Sequence, residues 1–287
     1  MVILISGAVT NIMLDPVLIF GLFGMPNLGV KGAAIATVIG QFVSMITGII
    51  LQAKVNREVK VTLKGFRFDL GVIKGIYRVG FPTIITQAMQ SMMVTCFNYI
   101  LYPFSGTAVA FFGVYYKLQT FLFMPLNGLG QAAIPIVGFN YGAGNKKRIA
   151  ETVKVTYISA VVVSFIGTVI FYAFPDKLLM LFSANENMLL LGTRAIRIIC
   201  LTYILSGITM VSGYIMSGLQ DGVTNMISSC IRQFIPLIPL AYIFAETFGI
   251  ESIWYSFILS EILAVLYAVI RIGGKLKKED IKVFDRV

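Results

Sequence analysis

The chain has 287 residues, of which 57% are hydrophobic and only 13% are charged, and its mean hydropathy is +0.87. A soluble domain cannot bury that much apolar surface, so the composition indicates a polytopic helical membrane protein. The net charge of +10 does not indicate a nucleic-acid partner, because the Lys and Arg residues lie mainly between apolar segments, and the lack of histidine removes the commonest general base.

The first apolar segment, about residues 2–23, contains a single acidic residue, Asp15. A carboxylate at bilayer depth costs about 2.5–3.5 kcal/mol on insertion scales, so such residues usually face a cavity and handle ions. Asn11 lies one helical turn earlier on the same face, and Pro16 withholds a hydrogen bond from the carbonyl group of Ile12. The segment therefore predicts a bent helix with oxygen ligands for a proton or a small cation. The alternative is an aspartate that only caps or snorkels at a helix end.

Seven further apolar segments follow, so we predict an all-α membrane protein with about eight transmembrane helices. Their approximate limits are 2–23, 29–53, 76–101, 107–138, 151–174, 189–217, 224–246 and 251–271. The fourth and sixth segments are long enough to be tilted or broken. Pro125 and Pro135, with Gly128 and Gly130, predict breaks in the fourth.

Basic residues concentrate in three polar stretches, namely 54–78, 140–154 and the tail that begins at Arg271. The positive-inside rule assigns these stretches, and therefore both termini, to the cytoplasmic side of a plasma (inner) membrane. We predict four regions, which are a partial N-terminal lobe of two helices (1–53), a cytoplasmic interfacial linker (54–75), a six-helix C-terminal lobe (76–271) and a cytoplasmic tail (272–287).

The first two helices resemble the last two at a constant offset. The matched pairs are Pro16 with Pro236, Gly29 with Gly249, and Gln41 with Glu261. Such parallel repeats are one of the layouts common in transporters. If the last two of six helices match the first two of this chain, four helices are absent from the N-terminal side. We therefore expect a truncated form of a protein with about twelve helices; the alternative is a genuine eight-helix protein with a coincidental match.

Four stretches of the sequence resemble one transporter family. They are NIMLDPVLIFG (11–21), LGVKGAAIATVIGQ (28–41), GFPTIITQAMQS (80–91) and FMPLNGLGQAAIPIVGFNYGAGNKKR (123–148). These residues are similar to the MATE (multidrug and toxic compound extrusion) transporters. The first two stretches resemble the fifth and sixth helices of that family, and the resemblance covers nearly the whole chain. It implies the last two helices of a first lobe followed by a complete six-helix second lobe.

The resemblance also implies a function. Family members export organic cations or other xenobiotics, driven by a proton or sodium gradient, and need no further cofactor. An Asn, an Asp and a Thr of the family's first-lobe cation site match Asn11, Asp15 and Thr37. Some members carry a sodium-binding Glu on the seventh helix, where this chain offers Gln87 and Gln90, so a sodium site in the second lobe is not expected.

Other polar residues within apolar segments are candidates for the cavity or the substrate site. They are Gln41, Gln87, Gln90, Asn98, Lys117, Gln131 and Glu261. Each also has a purely structural interpretation. The amides could simply form hydrogen bonds between helices, which contribute about 0.6 kcal/mol apiece on average. Lys117 has the alternative of pairing across helices, and Glu261 that of a structural ion pair with Arg232.

We therefore predict a cation-coupled (H+ or Na+) antiporter for organic cations or drugs that is not an enzyme and binds no metal. Its expected partners are small organic cations and membrane lipid, with no nucleic acid, and the full-length form is expected to be monomeric. Three alternatives stay open. They are a flippase for lipid-linked saccharides, which would need more Arg and Lys in its cavity, an inactive truncated remnant, and an intramembrane enzyme, for which no catalytic pair stands out.

Overall fold

A computed structural model describes residues 2–54, 68–281 and 283. The chain divides into two units, Met1–Asp69 and Leu70–Val287, called unit 1 and unit 2 below. Most of the predicted interfacial linker (55–67) and the end of the predicted tail (282 and 284–287) lie outside the described residues. The four predicted regions therefore stay predictions.

Unit 1 is a pair of antiparallel helices, α1 (Val2–Phe20) and α2 (Val30–Lys54). A short 3-10 turn, Leu22–Gly24, connects them, and Gly21 before it has a φ of 73°. Glycine adopts such positive φ values without steric cost, so the chain can turn sharply there. The backbone N–H of Leu28 then donates to the carbonyl of Leu18 at 3.1 Å, which closes the hairpin.

Glycines hold α1 and α2 close together. A Cβ atom added to Gly40 would lie 2.9 Å from the Gly7 carbonyl oxygen and 3.3 Å from Asn11 Cβ. Small residues allow membrane helices to approach backbone to backbone, where van der Waals contact replaces the missing hydrophobic driving force. This seam places Asn11 of α1 against α2.

Unit 2 contains six long helical segments and one short helix among the residues that the structure describes. Its helices are α3 (Leu70–Leu101), α4 (Gly106–Gly142), α5 (Lys146–Ala173), α6 (Pro175–Met180), α7 (Glu186–Ile199), α8 (Tyr203–Gly218), α9 (Gly222–Gln233), α10 (Leu237–Phe248) and α11 (Tyr255–Lys278). A 3-10 turn, Cys200–Thr202, joins α7 to α8, and three residues join α9 to α10. Asn145, Asn185 and Asp221 start α5, α7 and α9 by accepting hydrogen bonds from backbone N–H groups three residues on.

These helices confirm an all-α membrane fold. In the described part of the chain, seven helical stretches are long and apolar enough to cross a membrane. Of the eight segments that the sequence predicted, the third corresponds to α3, which has 32 residues but is not among these seven. The outer face of α5 exposes Val162, Phe165 and Ile166, as expected for side chains that meet lipid.

The predicted breaks in the fourth segment are wrong. Helix α4 runs through Pro125 and Pro135 as one helix of 37 residues. The sixth segment, whose length predicted tilting or a break, is interrupted at Cys200–Thr202, and the seventh is interrupted between Gln233 and Leu237. A membrane helix tolerates proline where neighbouring groups satisfy the freed carbonyl, so proline alone does not locate a break.

The break between α9 and α10 has a local cause. Pro236 has no N–H group to donate to the carbonyl of Arg232, four residues earlier. The hydroxyl of Ser260 on α11 donates to that carbonyl at 2.6 Å and contacts the carbonyl of Ile231 at 3.2 Å. The N–H groups of Phe234 and Ile235 both bond to the carbonyl of Cys230. The interrupted turn is thus held by α11.

An aromatic core joins α3, α4 and the start of α11. The rings of Phe97 and Phe112 stack with centroids 4.9 Å apart, and Trp254 meets Phe111 edge to face at 5.2 Å. All four side chains are buried. Such pairs contribute about 0.5–1.5 kcal/mol beyond the area that they bury.

Candidate functional site

The structure brings three predicted site residues of unit 1 together. The amide of Asn11 on α1 lies 3.5 Å from Asp15 Oδ1 and 3.4 Å from the Thr37 hydroxyl on α2. With its oxygen and nitrogen exchanged, the amide donates to Asp15 Oδ2 at 3.3 Å and accepts from the Thr37 N–H at 3.2 Å. In either orientation a carboxylate, an amide and a hydroxyl converge, and these are the hard oxygen ligands that small cations prefer.

Pro16 lies inside α1 without ending it, since the helix continues from Val2 to Phe20. Asp15 and Asn11 are half-buried and Thr37 is exposed. The Thr37 hydroxyl also donates to the carbonyl of Ala33 at 2.9 Å, which fixes its rotamer toward its own helix. The cluster is therefore reachable and partly ordered by its own hairpin.

Unit 2 contains an open polar cavity of about 450 Å³ between α3, α4, α8 and α9, called the polar cavity below. The polar side chains that line it include Gln87 and Gln90 from α3, Tyr116, Gln119, Asn127 and Gln131 from α4, Thr209 and Tyr214 from α8, and Asn225 and Arg232 from α9. Arg232 is its one formally charged lining residue among those described. Amides, hydroxyls and aromatic faces suit a polar or cationic organic molecule more than a metal ion.

Hydrogen bonds order part of this wall. The amide of Gln90 donates to the Tyr116 hydroxyl at 2.8 Å across α3 and α4. The Tyr214 hydroxyl donates to Asn127 Oδ1 at 2.7 Å across α4 and α8. Several polar groups are therefore held in place before any ligand arrives, which lowers the ordering cost of binding.

The predicted candidates separate into those that line the polar cavity and those that do not. Gln87, Gln90 and Gln131 line it. Lys117 is exposed and is not among the lining residues, because one residue after Tyr116 the helix has turned by about 100°. Asn98 is half-buried with its Oδ1 unbonded among the described residues, away from the cavity wall.

The remaining candidates lie elsewhere. Gln41 is exposed on α2 of unit 1. Glu261 is buried on α11, with 6% of its surface exposed. The alternative that Glu261 forms an ion pair with Arg232 is not realised, since no ion pair of the described residues includes either side chain.

Sequence reasoning missed most of the α4 and α8 lining. Tyr116, Gln119, Asn127 and Gln131 recur at intervals of three, four or eight residues, which is a helical face that periodicity alone indicates. Tyr214 gives no such signal, because its partner Asn127 is distant in sequence. Its role becomes visible only when the helices are packed.

Comparison with known proteins then supplies a family. A family model described as MatE matches residues 82–243, which is more than half of the chain. The multidrug export protein MepA of Staphylococcus haemolyticus (strain JCSC1435) is 24% identical over 275 residues, covering 94% of this chain and 58% of that protein. The probable multidrug resistance protein NorM of Thermotoga maritima is 28% identical over 287 residues, covering 96% and 60%. The chain thus spans about 60% of the length of these curated relatives.

Solved structures agree on the fold. An outward-facing multidrug resistance MATE family transporter of the MOP superfamily superposes with a TM-score of 0.88 at 22% identity, over 98% of this chain and 63% of that one. A MOP superfamily transporter from Pyrococcus furiosus gives a TM-score of 0.87, also at 22% identity and with the same coverage. At this level of identity the likeness concerns the fold alone.

Proposed function

The chain belongs to the MatE family, and from that premise we propose that it acts in secondary active efflux, exchanging organic cations or drugs for H+ or Na+. Members of this family are transporters and not enzymes. The observation that carries the proposal is the contact of Asn11, Asp15 and Thr37, which joins a titratable group to two ligand side chains within one hairpin.

The proposed mechanism starts from Asp15. Binding of a proton or a cation there changes the charge next to Asn11 and the hydrogen bonds between α1 and α2. A ligand that prefers one arrangement of these helices shifts the equilibrium toward it. The gradient then drives the cycle, with about 2.3 kcal/mol per charge from each 100 mV of membrane potential.

The substrate proposal rests on the polar cavity. Its amides and hydroxyls, with the rings of Tyr116 and Phe123, suit an aromatic organic cation. A flippase for lipid-linked saccharides would need several cationic groups to hold a pyrophosphate, and among the described lining residues only Arg232 is cationic. This difference favours drug efflux.

Further parts of the proposal concern setting and partners. We place the chain in the plasma (inner) membrane with both termini cytoplasmic, as a multi-pass protein that meets lipid on its apolar faces. We propose no cofactor beyond the coupling ion, a monomeric full-length form, and small organic cations as partners.

The test is uptake of ethidium, a fluorescent organic cation, by proteoliposomes that contain the protein, under an imposed pH or sodium gradient. Asp15→Asn keeps the shape of the side chain but removes its charge, so we expect gradient-driven uptake to fall about tenfold or more. The matched control is Asp280→Asn, since the side chain of Asp280 is 75% exposed and pairs with Lys146 at the surface, at 3.3 Å.

Three outcomes would count against the proposal in different ways. Equal uptake by Asp15→Asn and the unsubstituted protein would remove Asp15 from the coupling site. Transport without dependence on either gradient would exclude secondary coupling. The complete lack of transport by the unsubstituted protein would support the alternative of an inactive chain.

A further inference from the structure

Glu261 presents a buried acidic group that the proposed coupling site does not use. Its side chain is 6% exposed, and Oε1 has no hydrogen-bond partner among the described residues. A buried carboxylate without a full set of partners is costly, so native structures rarely keep one without a purpose. The carboxyl group therefore needs an explanation beyond packing.

The surroundings of Glu261 connect it to the polar cavity. Arg232 on α9 interacts electrostatically with the carboxyl group, and the hydroxyls of Ser206 and Thr209 on α8 lie beside it. Arg232 and Thr209 also line the polar cavity. Ser260, the residue before Glu261 on α11, donates to the carbonyl of Arg232 at 2.6 Å, so the backbone at Glu261 lies next to a residue of the cavity wall.

The other titratable groups around Glu261 are few. Tyr115 on α4 interacts with it electrostatically and is buried, next to Tyr203 of α8. On the neighbouring helices α7 and α10, Arg194, Arg197 and Glu246 are exposed and do not face it. The net charge around the carboxyl group is therefore set by Arg232.

The backbone explains why Arg232 stands at this place. It lies in the last turn of α9, directly before the break that Ser260 supports. A cation is favoured at the C-terminal end of a helix, where carbonyl groups point outward. Irregular backbone at membrane depth is tolerated where it lines a cavity, and broken helices mark binding sites in transporters.

We propose that Glu261 and Arg232, which make no direct ion pair, act through space as a proton-switched charge pair that sets the charge of the polar cavity and thereby its preference for cations. When Glu261 has released its proton to cavity water, the carboxylate offsets the charge of Arg232 and the cavity accepts a cation. When Glu261 takes up a proton, the guanidinium charge is no longer offset, and a bound cation is repelled. The use of this switch for substrate release rests on the proposed efflux function, whereas the switch itself does not.

The experiment measures the charge of the cavity directly. A Gln131→Cys reporter is placed in the cavity wall in a background that lacks Cys96, Cys200 and Cys230, the three free cysteines of the chain. The reporter is labelled with a cationic (trimethylammonium) and an anionic (sulfonate) methanethiosulfonate reagent. Both reagents attack the same thiolate, so the ratio of their rates reports the local potential and not the reactivity of the thiol.

We expect the cation-to-anion rate ratio to rise about tenfold as the pH rises and Glu261 loses its proton, because a unit charge at this depth is weakly screened. Glu261→Gln should give a low ratio that does not change with pH. Arg232→Gln should raise the ratio at every pH. The double variant should combine an intermediate ratio with no pH dependence.

The matched controls are Glu246→Gln, which removes an exposed acid of α10, and an Ala143→Cys reporter in the exposed turn after α4. Glu246→Gln should keep the response of the unsubstituted protein, and the Ala143→Cys ratio should stay constant. A Glu261→Gln variant that keeps the full pH response, while eluting as a monodisperse, folded protein, would overturn the charge pair.

Binding of ethidium in the same samples separates the two proposals. A pH-dependent labelling ratio without ethidium binding would uphold the charge pair and contradict export of this class of cation. Ethidium binding with a ratio that does not depend on pH would contradict the charge pair and leave the efflux proposal standing.

Discussion

At the scale of single residues, Gly130 decides how the wall of the polar cavity is built. A Cβ atom at this position of α4 would lie within 2.5 Å of the Tyr214 ring, so only glycine leaves room for that ring. The hydroxyl of Tyr214 then reaches Asn127, three residues before Gly130 on the same helix face. The glycine thus supports a hydrogen bond in which it takes no part.

Gly130→Ala should therefore displace the Tyr214 ring and weaken its bond to Asn127. We expect the protein to lose about 1–3 kcal/mol of stability from overpacking, and to bind ethidium more weakly. Thermal unfolding in detergent and ethidium titration measure the two effects.

Gly128→Ala is the control, since a Cβ atom there would meet nothing within 4 Å. This variant should be neutral or gain up to about 1 kcal/mol from higher helix propensity. Equal stability of the two alanine variants would contradict the role assigned to Gly130.

The same scale shows which parts of the site the sequence could predict. Asn11 and Asp15 are one turn apart on one helix, so their contact follows from helical geometry alone. The pair of Tyr214 with Asn127 joins two helices, and its distance depends on how closely they pack. Sequence reasoning considered Arg232 mainly as a structural ion-pair partner of Glu261. Its place in the cavity wall depends on the break after α9, which the sequence did not predict.

At the scale of helices, the break between α9 and α10 depends on a partner from α11. Proline predicted breaks at Pro125 and Pro135, where α4 is continuous, whereas Pro236 was noted only as the repeat partner of Pro16. The difference depends on a tertiary contact, because the Ser260 hydroxyl on α11 donates to the Arg232 carbonyl in place of the missing N–H. Most helix limits, by contrast, follow from apolar length and agree with the structure within a few residues.

Ser260→Ala should leave the Arg232 carbonyl without its donor at membrane depth and lower the free energy of unfolding by about 1–3 kcal/mol. Pro236→Ala returns a backbone N–H at the position that can reach this carbonyl. The double variant should therefore be less destabilised than the sum of the two single variants. Thermal unfolding of all four proteins in detergent gives this comparison.

The control is Ser256→Ala. Ser256 is a buried serine of the same helix, and its hydroxyl donates to the backbone carbonyl of Ile253, three residues earlier, at 2.6 Å. The loss of stability caused by Ser256→Ala should be the same with proline or alanine at position 236. Strictly additive effects of Ser260→Ala and Pro236→Ala would show that the hydroxyl does not substitute for the missing N–H.

At the scale of the whole molecule, both the internal repeat and the distribution of basic residues bear on how the helices are oriented in the membrane. Gly29 and Gly249, matched by the constant offset, have φ values of 52° and 82°, and each lies at the turn before a final helix of its pair. Both helix pairs thus turn in a similar way, as parallel repeats require. A basic stretch follows each pair, from Lys54 after α2 and from Arg271 at the end of α11, and these stretches predict which end of each pair is cytoplasmic.

Single cysteines in unit 2 test this orientation. Ala143 lies between α4 and α5, next to Lys146, Lys147 and Arg148, and is exposed. Ser183 lies between α6 and α7, at the opposite end of α5, and is also exposed. In the background without the three natural cysteines, we expect an impermeant maleimide to label Ser183→Cys in intact cells.

Ala143→Cys should react only after the membrane is permeabilised, because the positive charges that follow it resist translocation. The labelled fraction of each variant is read from a gel-shift of the protein, and detergent-solubilised samples give the full extent of reaction as the control. Labelling of Ala143→Cys but not Ser183→Cys in intact cells would invert the predicted orientation of unit 2. It would also place the basic turn and the C-terminal end of α11 outside the cell, against the charge distribution from which the orientation was derived.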